Sequence, residues 1–330
     1  MYFSATTVDD LFRRVFSTLL DAKNWVTPTR GDSLEITGVM LRLTNPRARL
    51  SRTEMRGKIF SCLGEFLWYM RGSNELSVIS YYLPKYEQDA EKDGTLYGAY
   101  GPRLFGMRGV NQIINVVERL RSSPNSRRAV IELFSAEDLQ SGAQEIPCTC
   151  VLQVVLRKRR LHMIVYMRSN DAFKGLPHDI FSFTMLQELI ARSVNAEIGS
   201  YKHVVGSLHL YRDDVASAKS YLQEGWQSTT AMPKMPSGDP WKYMVRLLEA
   251  EEKFRQGSDY DLEDLPDYWG DLVRLLKVFS LGKNKKTREI AAVKRQMKEK
   301  FYNLYVEKRL RRPVKSTQSP QFDLLAAKAN

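Results

Sequence analysis

Apolar residues at 8, 11, 12, 15, 16, 19 and 20 recur at the three-to-four spacing of a helix buried along one side, which predicts a helix over 8–23. Strict alternation over 34–43 predicts a half-buried strand. A second helix is expected over 54–71, where Gly72-Ser73-Asn74 stops it, and a third over 110–121, before Ser122-Ser123-Pro124-Asn125. Short apolar runs at 129–134 and 151–156 predict buried strands, and 161–167 alternates again. An apolar helix over 180–194, a strand over 203–210 and a helix over 213–224 complete this region. Residues 84–109, rich in Gly, Tyr and charge, read as an irregular functional loop.

The pattern changes at Pro-Lys-Met-Pro-Ser-Gly-Asp-Pro, residues 233–240. Beyond it only helices are expected, over 241–254, 267–279 and 287–310, followed by a frayed tail over 313–330. This divides the chain into 1–235, with strands and helices, and 236–330, a helical extension. Within 287–310, Ile290, Val293, Met297, Phe301 and Leu304 would share one helical face, with Lys and Arg crowding the other. No internal repeat is present.

Charge sharpens that division. The chain carries a formal +12, and residues 281–315, with thirteen Lys and Arg against three Glu, hold +10 of it. A nearly neutral body with one basic segment argues against a protein that coats nucleic acid generally. The segment reads as a helix packed on the body with a solvated basic side, or as a docking surface for nucleic acid or an acidic protein. The 43% apolar content is that of a globular protein, and no run approaches the roughly 18 residues of a membrane span. The first ten residues lack the order of a signal peptide, and Cys62, Cys148 and Cys150 are too few for a disulfide framework. A reducing cytoplasm is the expected compartment, with no membrane partner.

The chemistry concentrates between Pro147 and Ser182. Cys148 follows a proline and precedes a strand. A thiol is only a few per cent ionised at neutral pH, and Arg168, one strand later, is positioned to lower its pKa. The alternative is a buried structural cysteine. Arg30, Arg127, Arg128 and the Arg168-Ser169 pair lie at loop and strand ends, where guanidinium forks suit a phosphate; solvated loop arginines are the bland reading. Asp179 is either a helix cap or a reader of an exocyclic amine on a base edge. Glu65, beside Phe66, Leu67 and Trp68, is either an exposed helical turn or a carboxylate able to shuttle protons through water. His162, His178, His203 and His209 show no ligand spacing, so no metal is expected.

An ordered set of motifs resembles the thymidylate synthase superfamily over about residues 8–235. They are Arg30-Gly31, Gly64-Glu65-Phe66-Leu67-Trp68, Tyr97-Gly98-Ala99-Tyr100-Gly101, Asn125-Ser126-Arg127-Arg128, Pro147-Cys148, Arg168-Ser169-Asn170-Asp171, Gly175-Leu176-Pro177 and Gly206-Ser207-Leu208-His209-Leu210-Tyr211. The resemblance implies an α/β (α+β) fold, a mixed sheet packed with helices, here with the helical extension added. Within the superfamily the chain looks closer to the deoxycytidylate or cytidylate 5-hydroxymethylases. Synthases have Asn where this chain has Asp179, and Thr149 replaces the His that commonly follows the nucleophile.

The resemblance also implies roles. Cys148 would add to C6 of a pyrimidine nucleoside monophosphate, making C5 a nucleophile toward the one-carbon unit of 5,10-methylenetetrahydrofolate. Water would then complete a hydroxymethyl group, where a synthase would use hydride and make a methyl. Glu65 would organise water at the folate and the base, and Tyr100 would help remove the C5 proton. Asp171 and Gly175 would contact folate, Asp179 the base, and His209 and Tyr211 the sugar hydroxyl. Arg30, Arg168 and Ser169 would bind phosphate, with Arg127 and Arg128 coming from the other subunit of a homodimer. The family's terminal segment, which closes over folate, is not recognisable, and residues 82–93 match the family's tryptophan-bearing segment poorly. Two other functions stay open: a thymidylate synthase acting on dUMP, and a non-catalytic nucleotide- or RNA-binding protein on this scaffold.

Overall fold

The computed structural model describes residues 1–311, so the expected tail over 313–330 lies outside the described residues. The strands are β1 (Tyr2–Ala5), β2 (Trp25–Val26), β3 (Ser33–Leu43), β4 (Val130–Glu132), β5 (Thr149–Arg157), β6 (Arg160–Asp171) and β7 (Glu197–Tyr211). They form one mixed sheet in the order β1-β3-β7-β6-β5-β4, with β2 against the start of β3. β1 runs parallel to β3 and β6 parallel to β7, and the other pairings are antiparallel. The helices are α1 (Val8–Ala22), α2 (Ile59–Met70), α3 (Leu76–Ile79), α4 (Tyr100–Gly106), α5 (Gln112–Ser122), α6 (Leu176–Ser193), α7 (Val215–Gln223), α8 (Trp241–Arg255), α9 (Asp267–Lys283), α10 (Thr287–Gln296) and α11 (Asn303–Arg311). A mixed sheet packed with helices, followed by helices alone, is the expected fold class.

The α1 stripe behaves as its spacing dictates. Val8, Leu11, Phe12, Val15, Phe16 and Leu19 are buried, Thr7 caps the start by accepting from Asp10 N–H at 3.1 Å, and Lys23 ends the helix in the left-handed region. The parallel β6–α6–β7 unit sets the centre of the molecule. All eighteen residues of α6 are buried, including Gln187, Glu188 and Arg192. Several of their polar atoms are met locally: Gln187 donates to Leu161 O at 2.8 Å, and Glu188 pairs with the fully buried Arg49 and accepts from Met235 N–H, while Gln187 Oε1 and Arg192 Nε have no hydrogen-bond partner among the described residues.

Four sequence expectations are corrected. The second helix begins at Ile59 rather than 54, because 51–57 is held in turns by Ser51 and Thr53 hydroxyls. The irregular 84–109 stretch contains α4. The short strand β1 was not expected at all; its four residues are too few for a period to register. The long helix over 287–310 is two helices. The buried Asp271 carboxylate accepts N–H bonds from Lys298 and Glu299 at 2.8–3.2 Å, which fixes an extended break after Gln296.

The extension is built into the body. α8 and α9 lie against α2, and buried apolar side chains from Val8 to Val306 form one continuous cluster. Gly64 on α2 makes room for this: a Cβ there would fall 2.2 Å from the Tyr82 ring, which in turn stacks on Phe279 of α9 at 4.8 Å. Arg71 reaches Glu251 and Glu252 of α8 at 2.9 and 3.0 Å. Of the five residues expected on one apolar face, Ile290, Val293 and Phe301 are buried and Met297 and Leu304 are half-buried; with the helix broken, Tyr305 and Val306 are buried instead, so this side of the basic segment packs inward. Among the described residues no helix is long and apolar enough to cross a membrane.

Candidate active site

A cleft of about 880 Å³ opens between α2, α4, the loop before β5, the end of β6, the start of α6 and the end of β7. Arg30, Glu65, Tyr100, Cys148, Asp171, Gly175, Asp179 and Tyr211 all line it. Residues more than a hundred positions apart therefore meet at one place.

Cys148 stands where the loop turns into β5. Arg168 fastens that loop: its Nε donates to Pro147 O at 2.9 Å and its Nη2 to Ile146 O at 3.0 Å. Gly98 allows the loop to approach, since a Cβ there would lie 3.0 Å from Glu145 O. The thiol donates to Glu145 Oε1 at 3.7 Å. The pull of Arg168 expected on the thiol is present but outweighed by burial. Burial pushes Cys148 up to about 12, Arg168 and Arg30 pull against it, and Glu145 and Asp179 reinforce it. Cys62 is wholly buried and pushed higher still by desolvation, which marks it as a structural thiol.

Tyr100 stands next to Cys148. Its oxygen accepts from Thr149 N–H at 3.1 Å and from the Thr149 hydroxyl at 2.9 Å, so its own proton is left for the cleft. Thr149 thus serves to orient a phenol. Burial keeps that phenol neutral, well above its ordinary pKa.

Glu65 is buried on the inner face of α2. Its Oε1 accepts from Tyr86 at 2.5 Å and Tyr69 at 3.1 Å. Its Oε2, like Nε1 of the cleft residue Trp68, has no hydrogen-bond partner among the described residues. Tyr86 comes from the 82–93 stretch that matched poorly, together with the lining residues Lys85, Gln88 and Asp89. His178 is neutral, with burial lowering it to about 4; its Nδ1–H donates to Lys174 O at 2.9 Å and its Nε2 faces Ser61 at 3.0 Å.

Asp179 lies inside the first turn of α6 rather than at its cap, because Gly175 precedes the helix and Pro177 opens it. Asn170 donates to Asp179 Oδ2 at 2.7 Å. Asn170 Oδ1 in turn meets His203 Nε2 at 3.2 Å, and His203 Nδ1 meets Tyr201 OH at 2.8 Å. Burial lowers His203 to about 3, so the ring is neutral, donates from Nε2 and accepts from the phenol. Burial, then the Glu65 charge, raises Asp179 to about 7, opposed by the Asn170 bond. At neutral pH this carboxyl is divided between its two forms.

The phosphate candidates separate. Arg30 reaches the cleft, where it is paired with Asp89 at 2.7 Å and Glu145 at 2.6 Å. Arg168 is not among the lining residues but stands behind them, bonded to the Ile146 and Pro147 carbonyls and 3.7 Å from Glu145. Ser169 and His209 face one another at 3.5 Å on adjoining strands, outside the cleft lining, and His209 lies edge-on to Tyr211 at 4.9 Å. Arg127 and Arg128 are exposed and away from the cleft of their own chain. Asp171 caps the turn into α6 by accepting from Phe173 and Lys174 N–H at 2.8 and 2.9 Å.

The arrangement offers a thiol for addition, a divided carboxyl for a base edge, guanidinium groups for an anion, and a buried carboxylate with one oxygen turned to the cavity. A bicyclic co-substrate needs polar wall groups beside an aromatic surface, and Glu65 Oε2 with Trp68 and Tyr86 provides them. Sequence reasoning missed Asn170 as the orienter of Asp179, Tyr69 and Tyr86 as partners of Glu65, and Glu145 as partner of both arginine and thiol. Only Asn170, inside a quoted motif, left a signal to find. Among the described residues no group of three His, Cys, Asp or Glu is arranged to hold a metal.

Comparison with known proteins agrees with this geometry. The family model described as thymidylate synthase matches residues 10–243, which includes every residue named in the cleft and stops just inside α8. A thymidylate synthase of Buchnera aphidicola subsp. Baizongia pistaciae (strain Bp) is 30% identical over 164 residues, which is 48% of this chain and 62% of that relative. The chain thus spans less than two thirds of the length of the curated relative it matches.

Proposed function

Because the chain belongs to the thymidylate synthase family, we propose that it transfers one carbon from 5,10-methylenetetrahydrofolate to C5 of a cytidine monophosphate, CMP or dCMP, as a hydroxymethyl group. The observation that carries this reading is Asp179, held by Asn170 through one oxygen and poised at about pKa 7. Cytosine presents an N3 acceptor beside an N4 amino donor. Ionised, Asp179 accepts from the amino group; protonated, it also donates to N3. Uracil presents O4 and N3–H, and the ionised form would set lone pairs against O4. Cytosine is therefore accommodated in both protonation states of Asp179 and uracil in one.

Cys148 forms a bond from sulfur to C6, and a proton supplied toward N3 by Asp179 would offset the charge that addition sends into the ring. Tyr100, its proton directed to the cleft, is placed to relay the proton leaving C5. The folate supplies one carbon at the methylene level. Glu65 Oε2 is the place for the water that completes the hydroxyl. The balance is nucleotide, methylenetetrahydrofolate and water giving hydroxymethyl nucleotide and tetrahydrofolate, with nothing oxidised or reduced.

A homodimer completes the site in this reading. α1 and α6 cover one face of the sheet. On the other, Val151, Tyr166, Val204 and Met40 form a row across four strands, and none of them is fully buried. A second copy on that face would bring Arg127 and Arg128 to its neighbour's phosphate. The outward basic side of α10 and α11 would serve any nucleic-acid or acidic-protein contact, tested by salt-sensitive binding of the full chain.

The folate product separates this reading from a thymidylate synthase on dUMP. Tetrahydrofolate without dihydrofolate is expected, and accumulation of dihydrofolate would replace the reading with the synthase. A nucleotide-binding protein without activity would release neither.

A further inference from the structure

Four contacts to two carboxylates converge beside Arg30 and Arg168, where an incoming anion would bind. Arg30 Nη2 holds Asp89 at 2.7 Å and Glu145 at 2.6 Å, Arg168 lies 3.7 Å from Glu145, and the Cys148 thiol donates to the same Glu145 at 3.7 Å. Glu145 is thus shared by two guanidinium groups and the sulfur. Its side chain is partly exposed, as is that of Arg30. Both carboxylates are bonded to Nη2, so Nη1 and Nε stay open to a phosphate, and a dianion bound there would lie beside the Glu145 charge, whose repulsion favours driving that carboxylate off.

We propose that Glu145 is a positioning residue that occupies the phosphate place in the ligand-free protein, keeps the Cys148 thiol protonated as its hydrogen-bond donor, and is displaced when a nucleotide phosphate binds. This rests on reading the cleft as a nucleotide site. The carboxylate serves twice: it neutralises Arg30 while no anion is present, and it sets a negative charge beside the sulfur, which opposes thiolate formation. The idle nucleophile is thereby shielded from alkylation and oxidation, which require the thiolate. The other groups facing Cys148 are Arg30 from the loop before β3, Tyr100 from α4, Arg168 from β6, Asp179 from α6 and Tyr211 at the end of β7. None of them changes in the variants that isolate Glu145.

The test uses the full chain, iodoacetamide as thiol probe and inorganic phosphate as anion probe. Glu145→Gln is expected to lower the pH midpoint of Cys148 alkylation, to speed alkylation several-fold at neutral pH, and to tighten phosphate binding by calorimetry several-fold. Glu145→Asp, which keeps the charge, is expected to restore slow alkylation. Asp89→Asn should tighten phosphate binding and leave the alkylation midpoint where it was, since Asp89 touches Arg30 and not the sulfur. An unchanged or raised midpoint in Glu145→Gln, with phosphate bound by both proteins, overturns the proposal and leaves the nucleotide reading standing. A lowered midpoint with no phosphate binding in either protein overturns displacement and the nucleotide reading with it.

Discussion

Asn170 donates its side-chain amide to Asp179 Oδ2 at 2.7 Å, and the bond is fully buried. That single contact gives an acid in a helix a fixed orientation. One carboxyl oxygen is committed to Asn170, whose own carbonyl is tied through His203 to Tyr201, and the other is free to meet a base. An amide at position 179 could keep the bond to Asn170 and exchange the edge it presents.

Asp179→Asn is therefore expected to move preference from cytidine to uridine nucleotides. The ratio of kcat/KM for the two should change by about ten- to a hundredfold, the range of one well-formed base contact. Competition between CMP and UMP, and between dCMP and dUMP, measures it. An unaltered ratio removes Asp179 from base recognition.

The same substitution should alter how stability depends on pH. Asp179 is raised from 3.8 to about 7 in the folded protein, mainly by burial. Between these values the folded state binds the proton that the unfolded state has lost, so stability falls as pH rises through that window. The penalty at full ionisation is on the order of 4 kcal/mol. Asp179→Asn should raise Tm above pH 7 and have little effect near pH 4, measured by thermal unfolding across pH. A gain of equal size at both ends would contradict the buried-acid argument.

Tyr86→Phe removes the 2.5 Å donor to Glu65 and leaves Tyr69 in place. A hydrogen bond to a charged group contributes about 1.5–3 kcal/mol, so kcat should fall by about tenfold or more. The nucleotide KM should move little, because Tyr86 acts on Glu65. A change confined to KM would place Tyr86 in binding instead.

Cys148→Ala should abolish product while nucleotide binding survives, since the arginines and Asp179 remain. Calorimetry with CMP and dCMP beside a turnover assay tests both halves. Retained turnover would end the covalent account, and a chain with no turnover before or after the change would favour a binding protein.

Asp271→Ala probes the packing within the helical extension. The carboxylate satisfies two backbone N–H groups and Arg274 while fully buried, and its loss should cost about 1–3 kcal/mol. Urea unfolding gives the value. An effect near zero would mean that another group holds the break between α10 and α11.

Elements with a long, one-sided period were legible from the chain: the α1 stripe and the β3 alternation need only local spacing. Cys148, Asp179 and the motif residues were legible through their resemblance to a family. What escaped was settled by distant partners. The division of 287–310 depends on Asp271, which belongs to the preceding helix. Glu65 is completed by Tyr86 from a stretch without a recognisable pattern, and Cys148 meets Glu145 because Arg168 and Gly98 draw one loop tight. The thiol's surroundings were half legible for a related reason: a sequence displays the guanidinium and hides the burial that pushes the other way.

The most direct measurement is to offer CMP, dCMP, UMP and dUMP together with 5,10-methylenetetrahydrofolate and to weigh the nucleotides formed. The account predicts a hydroxymethyl group on a cytidine nucleotide and unmodified uridine nucleotides. A methyl group on a uridine nucleotide, with the cytidine nucleotides untouched, would contradict it.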